Sequence, residues 1–248
     1  MAQNIYDDSG FFAAYARLDR SVAGLDGAPE WPVLRSLLPS VAGRRVVDLG
    51  CGFGWFARWA AGAGAASVLG LDLSTNMLDR ARADTPGSGP VTYAQVDLDE
   101  LVLERGAFDL AYSSLTLHYL ADLPRFLGVV HDGLAPGGAF VFSAEHPILT
   151  APSHPDFVDG PTGRVWPLDG YLDEGPFTTD WLAEGVRKQH RTIATYVNDL
   201  VAAGFTVDRL EEWSPSAAPV EAKTEWADEH HRPPSSSWPP TGADAGRS

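Results

Sequence analysis

The run Val46-Val47-Asp48-Leu49-Gly50-Cys51-Gly52-Phe53-Gly54-Trp55 constrains this chain more than any other stretch. It reads as a buried strand that enters a glycine turn and then a helix. In a parallel α/β sheet that junction is where nucleotide-like ligands bind, because the backbone N–H groups opening the helix face outward there. Glycines at 50, 52 and 54 let the backbone turn sharply and approach a ligand with no Cβ between them. Asp48 adds a carboxylate at the end of the strand, which suits an ammonium or hydroxyl group better than a phosphate. A dinucleotide fingerprint needs a glycine where Trp55 stands, and no Gly-Lys-Ser/Thr run marks a mononucleotide loop. A second apolar run, Ser67-Val68-Leu69-Gly70-Leu71-Asp72-Leu73-Ser74, ends in an acid able to accept both hydroxyls of a ribose.

The rest of the chain supplies the alternation that such a sheet requires. The spacing predicts strands over 45–49, 67–71, 91–95, 108–113 and 139–144. Helices are predicted over about 54–62, 75–83 and 122–133. Before them, Phe11, Phe12, Tyr15 and Leu18 recur at helical spacing. Pro29-Glu30-Trp31-Pro32 opens a further helix that Pro39 ends. After them, residues 147–187 lose the rhythm and mix prolines with Phe157, Trp166, Tyr171, Phe177 and Trp181. That stretch reads as an ordered insertion over a substrate pocket. A helix over about 192–203 and a strand over 205–211 then resume the pattern. The organisation expected is a helical cover (1–42), a core (43–146), a substrate-side insertion (147–190), a C-terminal helix and strand (191–229) and a disordered tail (230–248).

The ordered set of motifs resembles the class I S-adenosylmethionine-dependent methyltransferases. Val91–Leu98 resembles that family's third strand, Phe108–Tyr119 its fourth strand and the segment beneath the methyl donor, and Leu134–Ser143 its Pro-Gly-Gly turn into the fifth strand. Within the family the chain is most similar to small-molecule enzymes related to ubiquinone and menaquinone biosynthesis. Glu145-His146-Pro147-Ile148 and Lys188-Gln189-His190-Arg191-Thr192 resemble a bacterial branch of it. The resemblance implies a Rossmann-like, doubly wound, mostly parallel sheet. It implies S-adenosylmethionine as cofactor, held by Asp48, Gly50, Cys51 and Gly52, by Asp72, Leu73 and Met77, and by Asp97, Leu98 and Ser113. Cys51 is expected to act through its backbone, and Asp97 to meet the adenine amino group.

Methyl transfer from a sulfonium is an in-line displacement, so alignment supplies much of the acceleration, and the nucleophile can also need its proton removed. His118, just past the fourth strand, is the leading candidate base because its ordinary pKa lies near working pH. Glu145 and His146, past the fifth strand, are the others. His190 and Arg191 are candidates for an anionic group of the acceptor, Arg191 equally for capping local backbone. Tyr6, Tyr15, Trp31 and Trp166 are candidates for the pocket wall or the core. Rival readings of the same residues are a non-enzymatic regulator that binds S-adenosylmethionine or S-adenosylhomocysteine, and a dinucleotide oxidoreductase.

The final antiparallel strand usual for such a sheet is not evident. Arg232-Pro233-Pro234-Ser235-Ser236-Ser237-Trp238-Pro239-Pro240 is proline-rich, and proline cannot donate to a ladder, so this fold is expected to lack that strand. Under one choice of codons, reading the segment two bases later gives an apolar, strand-like run, so a shifted reading frame is one account of it.

Composition narrows the function classes. A net charge of −15 argues against a nucleic-acid surface, which needs clustered Lys and Arg. No run approaches the ~20 apolar residues of a membrane span. The start, Met1 to Asp8, has no basic flank or apolar stretch of a signal peptide. Cys51 is the only cysteine, so no internal disulfide can form. A cytoplasmic protein acting on a small-molecule acceptor is expected, with no metal, nucleic-acid or membrane partner and with the oligomeric state open. Asp228-Glu229-His230-His231 has the composition of a metal cluster without a spacing that fixes a geometry, and reads as a solvated run.

Overall fold

The computed structural model describes residues 3–161, 163–215, 231–233, 235–238 and 242–243. Its centre is a parallel sheet of β1 (Arg45–Leu49), β2 (Ser67–Asp72), β3 (Val91–Gln95), β4 (Phe108–Ser114) and β5 (Leu134–Glu145), in the spatial order β5-β4-β1-β2-β3. The crossover helices are α4 (Trp55–Gly62), α5 (Thr75–Ala83) and α6 (Leu123–Gly133). Caps set their starts. The Ser74 hydroxyl accepts the Met77 N–H at 3.1 Å, and the Asp122 carboxylate accepts the Arg125 N–H at 3.0 Å, satisfying donors that a helix's first turn leaves free. This is the doubly wound α/β fold expected.

Alternation along the strands feeds two cores. Val47, Ala111, Phe140 and Phe142 face a layer built by Phe126, Leu127 and Val130 of α6 and by Tyr196 and Leu200 of α8 (Ile193–Ala202). Their neighbours Val46, Leu110, Tyr112 and Val141 face the other layer, where α3 (Trp31–Leu37) and α4 contribute Trp31, Leu34, Phe56 and Ala60. One residue of slip in any strand would exchange the two layers, so both cores pin the register. The turns after β1, β2 and β4 leave the sheet at its carboxyl ends.

The N-terminal cover consists of a 3-10 turn at Ile5–Asp7, α1 (Ser9–Tyr15), α2 (Asp19–Val22) and α3. Asp7 fastens it to the core: its carboxylate accepts the Ser74 hydroxyl at 2.6 Å and the Asn76 N–H at 3.0 Å, at the head of α5. The insertion contains a short helix, α7 (Pro147–Thr150), and two hairpins. These are β6 (Val158–Gly160) with β7 (Gly163–Val165), and β8 (Gly175–Thr179) with β9 (Val186–His190). Cover and insertion meet through aromatic edges, with Trp181 lying 5.6 Å from Phe11 and 6.3 Å from Tyr15 between ring centroids. Gln3 bridges them as well, accepting the Arg187 N–H at 2.8 Å and donating to the Gly185 carbonyl at 3.1 Å.

Two expectations about the C-terminal part are corrected. The stretch 205–211 is not one strand. It divides into β10 (Phe205–Thr206) and β11 (Glu211–Trp213), because Phe205, Val207 and Leu210 all pack on one core and the three-residue step to Leu210 breaks a period of two. The final antiparallel strand is present rather than missing. β12 (Ser235–Trp238) runs antiparallel between β5 and β11, pairing Ser236 with Ala144 and with Glu212. The prolines at 233, 234, 239 and 240 bracket these four residues instead of interrupting them, so all four keep their N–H donors. A disordered tail from residue 230 therefore does not hold at β12, nor at β13 (Gly242–Ala243), which pairs with β10. Residues 216–230, 234, 239–241 and 244–248 lie outside the described set, and the Asp228-Glu229-His230 part of the acidic run falls among them.

Candidate active site

A cavity of about 280 Å3 opens at the carboxyl ends of the strands, and a smaller one of about 100 Å3 adjoins it beneath the cover. The two share Gly50 and Gly52 of the glycine turn. Gly50 has φ +80°, and a Cβ there would lie 2.2 Å from the Thr116 hydroxyl oxygen. Gly52 has φ +50° and nothing within 4 Å of the place its Cβ would take, so bare backbone faces open space. Gly50→Ala combines a left-handed backbone with a clash, and is expected to cost about 2–4 kcal/mol. Thermal unfolding checks this, and a variant within 1 °C of wild type would contradict the packing described.

Three acids converge on these cavities. Asp72 closes the glycine turn, since its carboxylate accepts the Gly52 N–H at 2.8 Å and the Ser74 N–H at 2.9 Å. Burial pushes its pKa up while those two donors pull it back. Asp48 lines the smaller cavity and is 2% exposed. Burial, reinforced by Asp72, raises its pKa to about 8, against one opposing N–H from Ala57. Its Oδ2 has no hydrogen-bond partner among the described residues, an arrangement native proteins tolerate mainly where function uses it. Asp97 caps the 3-10 turn Leu98–Glu100 by accepting the Asp99 N–H at 3.0 Å, and lines the larger cavity with Leu98, Leu73 and Met77. Cys51 lines the smaller cavity. Burial raises its thiol well above the usual range, so it holds no thiolate for nucleophilic attack.

At the other end of the larger cavity stand His118 and Glu145. His118 Nδ1 accepts the Glu145 backbone N–H at 3.3 Å, which leaves the ring proton on Nε2, 3.7 Å from Glu145 Oε1. Burial, aided by Lys188 and Arg191, lowers the His118 pKa to about 4 against the pull of Glu145, so the ring is neutral at pH 7. Lys188 reaches the same Oε1 at 2.5 Å. Burial alone would raise the Glu145 carboxyl, but His118 and Lys188 beside it outweigh that and hold it below its ordinary value.

The structure brings together most of the residues expected, and leaves two outside. Ser113 does not reach the cavity: its hydroxyl donates to the Leu49 carbonyl at 2.7 Å inside the sheet, and Ser114, on the opposite strand face, lines the wall instead. His146 is turned away too. Its Nδ1 accepts the Ile148 N–H at 3.1 Å at the start of α7, and its Nε2 meets Glu212 at 2.7 Å. Of the secondary candidates, Arg191 donates to the carbonyls of Leu117, Leu120 and Ala121, and His190 joins Thr150 to the Tyr171 carbonyl, so both are structural. Tyr6 and Tyr15 line the larger cavity and Trp31 the smaller one, while Trp166 bonds the Ile148 carbonyl away from both.

Sequence reasoning gave no site role to Arg20, Leu115 and Tyr119 on the cavity wall or to Lys188 behind it, and placed Trp181, which also lines the wall, only within the insertion over the pocket. Alternation gives a signal for Lys188, because Val186, Lys188 and His190 all face inward along β9. Nothing in the sequence announces the left-handed Leu115 (φ 52°), whose N–H is held by the Ser143 carbonyl at 2.9 Å. Strain of that kind gathers at functional turns.

Known proteins share this architecture. A family model described as a methyltransferase domain matches residues 47–142. An S-adenosylmethionine-dependent methyltransferase from Mesorhizobium loti is 54% identical, superposes with a TM-score of 0.83, and matches over 87% of this chain and 98% of its own. The chain belongs to the S-adenosylmethionine-dependent methyltransferases. A Haemophilus influenzae protein is 33% identical over 239 residues, covering 93% of this methyltransferase and 94% of the relative. A trans-aconitate 2-methyltransferase from Deinococcus radiodurans is 39% identical over 126 residues, about half of each chain (48% and 47%). The enzyme's cofactor is S-adenosylmethionine, and the residues present fit it: three acids line the two cavities, and Asp48 Oδ2 has no hydrogen-bond donor among the described residues. Among the described residues no helix is long and apolar enough to cross a membrane, and no group of three or more His, Cys, Asp or Glu side chains is arranged to hold a metal.

Proposed function

We propose that this methyltransferase transfers its methyl group to a small-molecule acceptor seated at the His118–Glu145 end of the larger cavity. One observation carries the reading. A single cavity runs from Asp72 and Asp97 to His118 and Glu145, and Tyr6 and Trp181 complete its wall from the cover and the insertion. A space closed in this way suits a compact acceptor. The trans-aconitate relative, named for such a molecule, supports the same reading. The net charge of −15 is the support for excluding a nucleic-acid acceptor, and among the described residues no helix is long and apolar enough to cross a membrane, which fits a cytoplasmic setting.

S-adenosylmethionine, when bound, supplies an electrophilic methyl group on a sulfonium sulfur. Asp72 accepts from the ribose hydroxyls while keeping the glycine turn in shape. Asp97, Leu98, Leu73 and Met77 surround the adenine side, and Asp48 with the backbone at Gly50, Cys51 and Gly52 receives the amino-acid end. At the acceptor end, Glu145 faces the substrate as a carboxylate. Neutral His118 directs its Nε2–H towards Glu145, and so orients that carboxylate rather than serving as the base. The aromatic walls exclude water and favour a cationic centre.

The test is calorimetric. S-adenosylhomocysteine is expected to bind and NAD is not. Asp48, neutral at pH 7 with a pKa near 8, loses its proton when an ammonium is placed beside it. Binding at pH 7 therefore releases up to one proton, and affinity rises towards about tenfold per pH unit between pH 6 and 8. Titrations in two buffers of different ionisation enthalpy measure that proton, and Asp48→Asn abolishes it. Equal heats in the two buffers would refute the role of Asp48. Failure to bind at millimolar ligand would refute the assignment of the site.

A further inference from the structure

The cavity wall also carries information about the acceptor, on the reading that its His118–Glu145 end is the acceptor site. We infer that the acceptor presents an N–H or O–H group to Glu145 Oε2, as an amine or hydroxyl compound, and that the site rejects carboxylate acceptors.

The inference rests on which polar atoms are already engaged. Both ionic contacts of Glu145 use one oxygen: Lys188 Nζ lies 2.5 Å and His118 Nε2 3.7 Å from Oε1. Among the described residues the hydrogen bond to this carboxylate goes to Oε1 and none to Oε2, and the side chain, on the cavity wall, is 20% exposed. Lys188 holds that carboxyl ionised, so Oε2 accepts hydrogen bonds and donates none. An acceptor molecule must bring the donor.

The rest of the wall excludes anions. The Lys188 ammonium is packed behind Glu145, over the rings of Trp181 (5.0 Å) and Tyr119 (5.6 Å), and is 3% exposed. It offers nothing to a ligand. Arg20 is the cation on the cavity wall, and its Nη2 already donates to both oxygens of Glu30, at 2.9 and 3.1 Å. Asp72 and Asp97 add further acids to the same space. A carboxylate brought to this end meets a like charge at Glu145, a juxtaposition that disfavours its binding. Tyr6, Tyr119 and Trp181 instead line this part of the wall with aromatic rings, which suit a flat body. Neutral His118 adds no positive charge.

Matched probes test this on the full-length protein loaded with S-adenosylhomocysteine. Benzylamine, benzyl alcohol and benzoate share one body and differ in the group presented, and trans-aconitate adds a polyanion. Ligand-observed NMR is expected to rank benzylamine or benzyl alcohol at least about tenfold above benzoate and trans-aconitate. The amine and alcohol arms separate the two donor classes. Equal or tighter binding of either carboxylate overturns the inference, as does a screen in which no probe binds. The paired variant Glu145→Gln with Lys188→Met removes the ion pair without leaving a lone buried charge. It is expected to erase the preference while retaining S-adenosylhomocysteine binding. A preference that survives the double change also overturns it. Loss of S-adenosylhomocysteine binding in the wild type would count against the parent reading instead.

Discussion

Lys188→Met is expected to lower the unfolding free energy of this methyltransferase by about 3 kcal/mol. The cause is the partner left behind. Lys188 is 3% exposed, and its ammonium neutralises Glu145 inside the fold. Removing one member of a buried pair typically costs about 3–5 kcal/mol because the other charge stays desolvated. The lower figure applies here, since one fifth of the Glu145 side chain still faces the cavity. For a chain of this size the loss corresponds to a fall in Tm of about 6–12 °C. The sign with pH follows from the direction of the shift. In the wild type the Glu145 pKa is depressed, so its stabilisation is present above the unfolded carboxyl value and is lost as pH falls through the folded one. In Lys188→Met the carboxyl pKa rises. The deficit is then smallest in acid, where the group is protonated, and grows towards neutral pH. Adding Glu145→Gln should recover most of the loss, a coupling that a double-mutant cycle reads directly. A single variant as stable as wild type at pH 7 would show that the pair is solvated.

Asp72→Ala is expected to weaken S-adenosylhomocysteine binding by at least about a hundredfold while the protein stays folded. Both oxygens of Asp72 are occupied by backbone donors, at Gly52 and Ser74. It therefore joins the glycine turn to the head of α5 even before a ligand arrives. Hydrogen bonds to a charged group are worth about 1.5–3 kcal/mol each, so the loss of two loosens the turn, and the carboxylate proposed for the ribose goes with them. Calorimetry measures the affinity and far-ultraviolet circular dichroism the fold. An affinity within tenfold of wild type would remove Asp72 from the site.

Much of the fold was legible because it rests on local rules. The helix over 75–83 is found to the residue, since Ser74 both ends the β2 turn and caps α5. The five parallel strands appear because their residues alternate between two cores or run apolar throughout. What escaped depends on geometry that spacing does not encode. Ser113 and Ser114 are chemically identical, and only the pleat decides which one faces the cavity. Alternation along β9 turns Lys188 inward, but only the folded β8–β9 hairpin shows that its partner is Glu145. β12 was hidden by its flanks, because a run of four residues without proline looks like loop when prolines stand on both sides. His146 was misplaced for a related reason: adjacency to β5 suggested the rim, but the chain turns at Pro147 and carries the ring towards Glu212.

The position of β12 has a consequence for how this molecule is made. β11 precedes it in sequence, yet reaches β5 only through it. A nascent chain emerging from the ribosome can assemble the cofactor half early, but β5 keeps an open edge until residue 238 has cleared the exit tunnel. During that interval the unpaired edge is a template for another nascent chain. That edge is closed to other chains only when β12 has paired with it.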